Sequence, residues 1–190
     1  MAAYGGNLRI LELLLSAGAD INQRNRWSKT PLAEAIEADQ THIVQVLIQH
    51  GAQLLLEDPA GEMCDFASKG DVENLLLLLS NGVNPNAKDY DSRSALHLAA
   101  AEGKDQIVEL LLRHKADVNI EDRWGGTPLQ DAIVEGHGDV AMTLQAKGGK
   151  MPEGRGCEEM CMAAVLGDLT RMRMLLACGI DPDEGNYDLR

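Results

Sequence analysis

The side chains in this sequence best suited to covalent or metal chemistry are four cysteines and five histidines, and their spacing argues against both uses. Cys157 and Cys161 are four apart and share a face if their segment is helical, but no neighbouring Cys or His completes a set of four ligands. No metal is assigned, and the cysteines read as buried free thiols of a reducing compartment. His42, His50, His97, His114 and His137 lie near no Ser or Cys arrangement that would pair a nucleophile with a base, so neither a catalytic residue nor a cofactor is expected. Recognition is the chemistry that remains. Four of the six aromatic residues form two pairs 97 residues apart, Trp27 with Trp124 and Tyr90 with Tyr187, and Arg26, Arg93, Arg123 and Arg190 accompany them. Arginines and aromatic rings are the side chains most often found anchoring protein interfaces. The competing assignment packs each Trp on an adjoining element and pairs Arg with Asp91 or Asp122; the sequence favours it for the tryptophans and leaves both open for Tyr90 and Tyr187.

That pairing leads back to the elements that carry these side chains. Residues 1–93 align without a gap on residues 98–190 with 33 identities in 93 positions, an offset fixed by Arg26-Trp27 and Arg123-Trp124 (123 − 26 = 97). A finer period lies inside it: Thr30-Pro31-Leu32, Glu62-Met63-Cys64, Ser94-Ala95-Leu96-His97, Thr127-Pro128-Leu129 and Glu159-Met160-Cys161 follow at steps of 32, 32, 33 and 32. Such a period predicts a solenoid, in which one repeat cannot bury its own apolar face and neighbours build the core. Thr127 is placed to cap a first helix that opens with Pro128 and stops at Gly136, while Leu129, Ala132 and Ile133 share one face. Ile107, Val108, Leu110, Leu111 and Leu112 mark a second helix, after which Gly18, Gly51, Gly82, Gly148 or Gly179 turns the chain. Lys115 stands in that glycine position in one copy and is expected to be strained there.

Thirty acidic against seventeen basic residues give a formal net charge of −13, which opposes nucleic acid and anionic membranes and favours a partner with a basic segment. Apolar residues make up 45% of the chain and aromatic residues 3%, so Leu, Ala, Ile and Val must form the core. The longest leucine run, Leu75 to Leu79, is too short to span a bilayer, and a soluble, cytoplasmic protein is expected.

Thr-Pro-Leu, Leu96-His97-Leu98-Ala99-Ala100, Val108-Glu109-Leu110-Leu111-Leu112 and Ala116-Asp117-Val118-Asn119 together resemble the ankyrin repeat. The stretches Lys88–Gly103, Asp122–Trp124 and Gly136–Val140 are similar to the ankyrin segments of kidney-type glutaminases and of plant integrin-linked-kinase-like proteins, without the catalytic domain of either. The resemblance implies an all-α solenoid of stacked antiparallel helix pairs with projecting hairpin loops. It divides residues 1–190 as one array, with a partial repeat at 1–24, repeats at 25–57, 58–88, 89–121, 122–154 and 155–185, and a fragment at 186–190. Glu62-Met63-Cys64 and Glu159-Met160-Cys161 stand where the family carries Thr-Pro-Leu, so weaker capping and more mobility are expected there. His97 is implied to hydrogen-bond between repeats. The family binds through hairpin tips and the exposed face of the first helix, which selects Arg26, Trp27, Tyr90, Asp91, Arg93, Glu102, Arg123, Trp124, Gln130, Asp131 and Tyr187, with Glu34, Glu37, Ala101 and Val134 beside them. The expected function is non-enzymatic protein interaction or complex assembly; the alternative is a regulatory or assembly segment of a larger enzyme, kinase or channel. Met1 aligns with Leu98 and Arg190 with Arg93, so the array is expected to continue or to dock its ends on neighbouring subunits.

Overall fold

A threonine hydroxyl that accepts an amide hydrogen, followed by a proline that needs none, starts two of the helices here. Thr30 Oγ1 accepts from Ala33 N at 3.3 Å ahead of Pro31, and Thr127 Oγ1 accepts from Gln130 N at 3.4 Å ahead of Pro128. Asn7, Asp71 and Asp168 cap three others through their side chains. The computed structural model describes residues 2–53 and 58–182. Among them are eleven α-helices and a single isolated β-bridge between Lys88 and Ser94.

The chain forms two compact units, Met1–Pro59 and Ala60–Arg190. The first contains α1 (Leu8–Ser16), α2 (Pro31–Glu37) and α3 (Thr41–Gln49), with α2 packed on α3 around Leu32, Ile36, Ile43 and Leu47. The second contains α4 (Pro59–Lys69), α5 (Val72–Ser80), α6 (Ala95–Ala101), α7 (Asp105–Arg113), α8 (Pro128–Val134), α9 (Gly138–Ala146), α10 (Arg155–Leu166) and α11 (Leu169–Ala177). Helices pair within a repeat as α6 with α7, α8 with α9 and α10 with α11, and repeats stack through α6 on α8, α5 on α7, α7 on α9 and α8 on α11. Leu75, Leu78, Leu96, Ile107, Leu111, Leu129 and Ile133 are fully buried between them, so the core is aliphatic and is made by stacking. Asparagines after the second helices stitch neighbouring repeats: Asn22 Oδ1 accepts from Gln53 N at 2.8 Å, Asn86 Oδ1 from Asp117 N at 2.7 Å and Asn119 Oδ1 from Lys150 N at 2.8 Å.

Burial corrects the fine register. The buried side chains Leu32, Met63, Leu96, Leu129 and Met160 are structural equivalents, as are the positive-φ residues Asp39, Gly70, Gly103, Gly136 and Gly167. Both series advance by 31, 33, 33 and 31 residues, so Gly61 and Glu158, not Glu62 and Glu159, match the capping threonines. The physical reason is that the face presented to the core sets the register, whatever residue precedes it. Without Thr-Pro, α4 and α10 begin about a turn earlier and run 11 and 12 residues against 7 for α2, α6 and α8. Gly154 precedes α10 with no side-chain cap. Lys115 has φ 67°, in the left-handed region its glycine counterparts occupy. Cys64 and Cys157 are buried, but Cys161 is exposed, against the expectation of buried thiols: its equivalent Cys64 is covered by the following hairpin, where its Sγ meets Arg93 O, and no described residue covers Cys161 in this way.

Candidate recognition surface

Each hairpin is closed by one carboxylate or carboxamide. Asp89 Oδ1 accepts from Asp91 N and Arg93 N at 2.9 and 2.8 Å, Asp122 Oδ1 accepts from Trp124 N and Gly126 N at 2.8 Å each, and Asn25 Oδ1 accepts from Trp27 N and Lys29 N at 2.8 and 3.0 Å. A left-handed residue follows in each loop, Ser92, Gly125 or Ser28. With the backbone turned inward onto the Asx side chain, the two residues after it are thrown outward. Tyr90 is consequently 93% exposed, Trp124 61% and Trp27 56%. The tryptophans do not pack on the next repeat, as the sequence favoured; Arg26 lies 3.9 Å over the Trp27 ring centroid instead.

Arg123 joins two hairpins. Its Nη1 donates to Asp91 Oδ1 at 2.6 Å, its backbone N donates to Asp91 O at 3.2 Å, and its guanidinium carbon lies 5.2 Å from the Trp124 ring and 5.7 Å from the Tyr90 ring. The pairing of Arg with Asp91 that the sequence suggested is therefore present, and it orients the two rings instead of burying them. Arg93, on the first of these hairpins, donates from Nη2 to Asp131 Oδ2 on α8 at 3.3 Å.

Between α6 and α8 lies a groove of about 550 Å³ that brings together five of the residues selected from sequence, Arg93, Ala101, Glu102, Trp124 and Asp131. Leu98, Asp122, Glu135 and His137 also line it and were not selected; the repeat register identifies Glu135 as the equivalent of Glu102 and would have found it. Burial pushes the Asp131 carboxyl up to about 6, against the downward pull of the Arg93 charge and hydrogen bond; Asp122 and Glu135 add to the rise. Gln130 does not join the groove: it is half-buried, and its Nε2 donates to Glu159 Oε1 of α10 at 3.2 Å. Tyr187 lies outside the described residues, as does Arg190. Arg26 and Trp27 belong to the first compact unit and are described with it.

His97 is a positioning residue for this surface. Ser94 N donates to His97 Nδ1 at 3.1 Å, so the proton of the neutral ring sits on Nε2, which faces Gly126 O of the next hairpin at 3.1 Å. Burial lowers its pKa, while the Gly126 carbonyl raises it to a lesser degree. No described helix is long and apolar enough to cross a membrane, and no group of three metal-ligating side chains occurs among the described residues.

Comparison with known proteins places this geometry. The family model described as ankyrin repeats (3 copies) matches residues 1–89 and 63–155. The chain is 37% identical over 119 residues to serine/threonine-protein kinase 12 of Arabidopsis thaliana, covering 63% of this chain and 25% of the kinase. It is 39% identical over 165 residues to the potassium channel SKOR of Arabidopsis thaliana (70% of this chain, 20% of the channel). It is 44% identical over 80 residues to the mitochondrial liver isoform of glutaminase from Rattus norvegicus (42% and 13%). The chain thus spans a quarter or less of the length of these relatives. Ankyrin repeats are protein-interaction modules and generally non-catalytic. With the matched repeats, the stacked helix pairs and the projecting hairpins in agreement, this chain belongs to the ankyrin-repeat family.

Proposed function

We propose that this chain is a non-enzymatic, cytoplasmic interaction or assembly module that binds another protein through the α6–α8 groove and the adjoining hairpin tips. The observation that carries the reading is the Arg123 clamp: Asp91 holds the guanidinium within 5.7 Å and 5.2 Å of two ring centroids, Tyr90 and Trp124, whose side chains are mostly in water, an ordered presentation of the side chains that anchor interfaces. The groove carries four carboxylates against one guanidinium, which favours a partner with a basic segment and disfavours nucleic acid. The test is affinity capture with the chain and with a Tyr90→Ala/Trp124→Ala variant whose helicity and melting temperature match the parent. Proteins retained by the parent and lost by the variant support the reading; identical sets overturn it.

A second reading, that the module regulates or assembles a larger kinase, channel or enzyme, is favoured by the fraction of each relative that the chain matches. Transcript sequencing from the source that joins this segment to a catalytic or membrane domain supports it, and a transcript encoding the repeats alone overturns it.

A further inference from the structure

Three unburied positions recur on the first helix of every repeat or at its C-cap, and the corrected register identifies their occupants. They are Glu34, Glu37 and the C-cap Ala38 for α2; Asp65, Ser68 and Lys69 for α4; Leu98, Ala101 and the C-cap Glu102 for α6; Asp131, Val134 and the C-cap Glu135 for α8; and Met162, Val165 and Leu166 for α10. In α4 the first and third form a surface ion pair, Lys69 with Asp65. In α10, the copy of α4 one long repeat later, the same two positions are Met162 and Leu166, and with Val165 between them all three are apolar and 53, 66 and 83% exposed respectively. Leu169, at the start of α11, is exposed as well. None of these positions is buried in the other copies, where Glu37, Asp65, Lys69, Glu102, Val134 and Glu135 are exposed and the rest are half-buried, so the stripe replaces a largely polar surface. Scattered apolar residues on a surface need no explanation, but a contiguous row along one helix marks a contact.

The stripe also continues something. Its equivalents on α6 and α8 line the groove or border it, with Leu98, Ala101, Glu102, Asp131 and Glu135 among the lining residues and Val134 exposed beside them. Gln130 ties α8 to Glu159 of α10, and Arg171 of α11 pairs with Glu159 at 2.5 Å, so α10 is held in place beside the groove by a half-buried network. At equivalent positions the side chains therefore change from carboxylates on α6 and α8, which line the groove, to methionine, valine and leucine on α10.

We propose that this face takes a bipartite segment of another protein, with apolar anchors seated on Met162, Val165 and Leu166 and basic side chains received by Glu102, Asp131 and Glu135. The proposal rests on the binding face put forward above and adds the chemistry of its occupant. Charge complementarity selects the basic half; the exposed row on α10 selects the apolar half and sets the end of the groove at which it lies. Such a segment satisfies both surfaces at once, whereas a uniformly basic or uniformly apolar one leaves half of the face unmatched.

The test is a displayed library of random 16-residue peptides panned against the whole chain and against Met162→Asp/Leu166→Lys, which transplants the ion pair that α4 already carries and so is expected to keep the fold. Enriched peptides are expected to combine an apolar cluster with Lys or Arg, to bind the variant about ten-fold or more weakly, and to lose affinity to Glu102→Gln/Glu135→Gln in a salt-dependent way. Peptides that enrich but bind the Asp/Lys variant as well as the parent, or that carry acidic consensus residues, overturn the bipartite occupant and leave the binding face standing. No enrichment on the parent overturns both. Sedimentation equilibrium of the parent supplies the remaining arm: self-association abolished by Met162→Asp/Leu166→Lys would show that a second copy covers the stripe, and would also overturn the proposal.

Discussion

The hairpins at Arg26-Trp27 and Arg123-Trp124 have the same dipeptide, an Asx closure from Asn25 or Asp122 and a left-handed residue at the same position, Ser28 or Gly125, and they are held differently. In the first, Arg26 lies on its own neighbour Trp27, and Asn25 Nδ2 donates to Glu34 Oε1 within the same repeat at 2.6 Å. In the second, Arg123 reaches back one repeat to Asp91, Arg93 reaches forward to Asp131, and His97 meets Gly126 from the repeat before. The second loop is tied to its neighbouring repeats through Asp91, Asp131 and His97 in addition to its own turn. What matters for recognition is the pair of adjacent hairpins, and a single loop read alone does not reveal it.

The sharpest way to break this comparison is at His97. His97→Ala leaves the Ser94 amide and the Gly126 carbonyl buried without their partner and is expected to cost about 2 kcal/mol, read as a lower midpoint in denaturant. The equivalent residue of the first unit is already Ala33, so a variant that unfolds like the parent would show that this cross-link contributes nothing.

Asp131 and His97 pull the pH dependence in opposite directions. Folding raises the Asp131 pKa from 3.8 to about 6, so the folded state takes up a proton between these values that the unfolded state does not, and stability from this group rises as pH falls through that window. Folding lowers the His97 pKa below its ordinary 6.5, so its contribution is present above that value and is lost as pH falls below it. Asp131→Asn is accordingly expected to be more stable than the parent at pH 7, by on the order of 1 to 2 kcal/mol, with the advantage gone below about pH 4. A gap that is constant across that range in paired urea titrations would contradict the account.

A smaller effect is expected from Lys115→Gly, which relieves a left-handed non-glycine backbone and should add about 1 kcal/mol, seen as a raised melting temperature. Smallest of all, Asp91→Ala should cost under about 1 kcal/mol because the pair it breaks is half in water. In a Trp27→Phe background it should nonetheless change the emission of Trp124, making the second hairpin behave as the first does. Unchanged emission would separate the ring's environment from the Asp91 link.

Much of this was legible in the letters, and the reasons differ by element. Thr30-Pro31 and Thr127-Pro128 announce helix starts because capping is a local event, and those helices begin there. The steps to α4 and α10 were misplaced by one residue because Glu62-Met63-Cys64 and Glu159-Met160-Cys161 match each other but say nothing about which side faces the core; the buried Met63 and Met160 decide that. Arg123 with Asp91 was suggested by charge alone, whereas the outward throw of Trp27 and Trp124 follows from Asx hydrogen bonds that composition does not encode. The spacing of Met162, Val165 and Leu166 does not by itself distinguish a core face from a surface. Only knowing that Cys157, Met160 and Ala163 already fill the buried side of α10 turns them into a surface.

The reach of the cross-links has a kinetic corollary. Asn22 with Gln53 spans 31 residues, Asp91 with Arg123 spans 32, and Arg93 with Asp131 spans 38. The longest of these ring closures is little more than one repeat, and because closure entropy grows only with the logarithm of loop length, each costs nearly the same wherever it forms. Structure can therefore nucleate at any neighbouring pair of repeats and spread by addition, so that lengthening the array would leave its folding speed almost untouched.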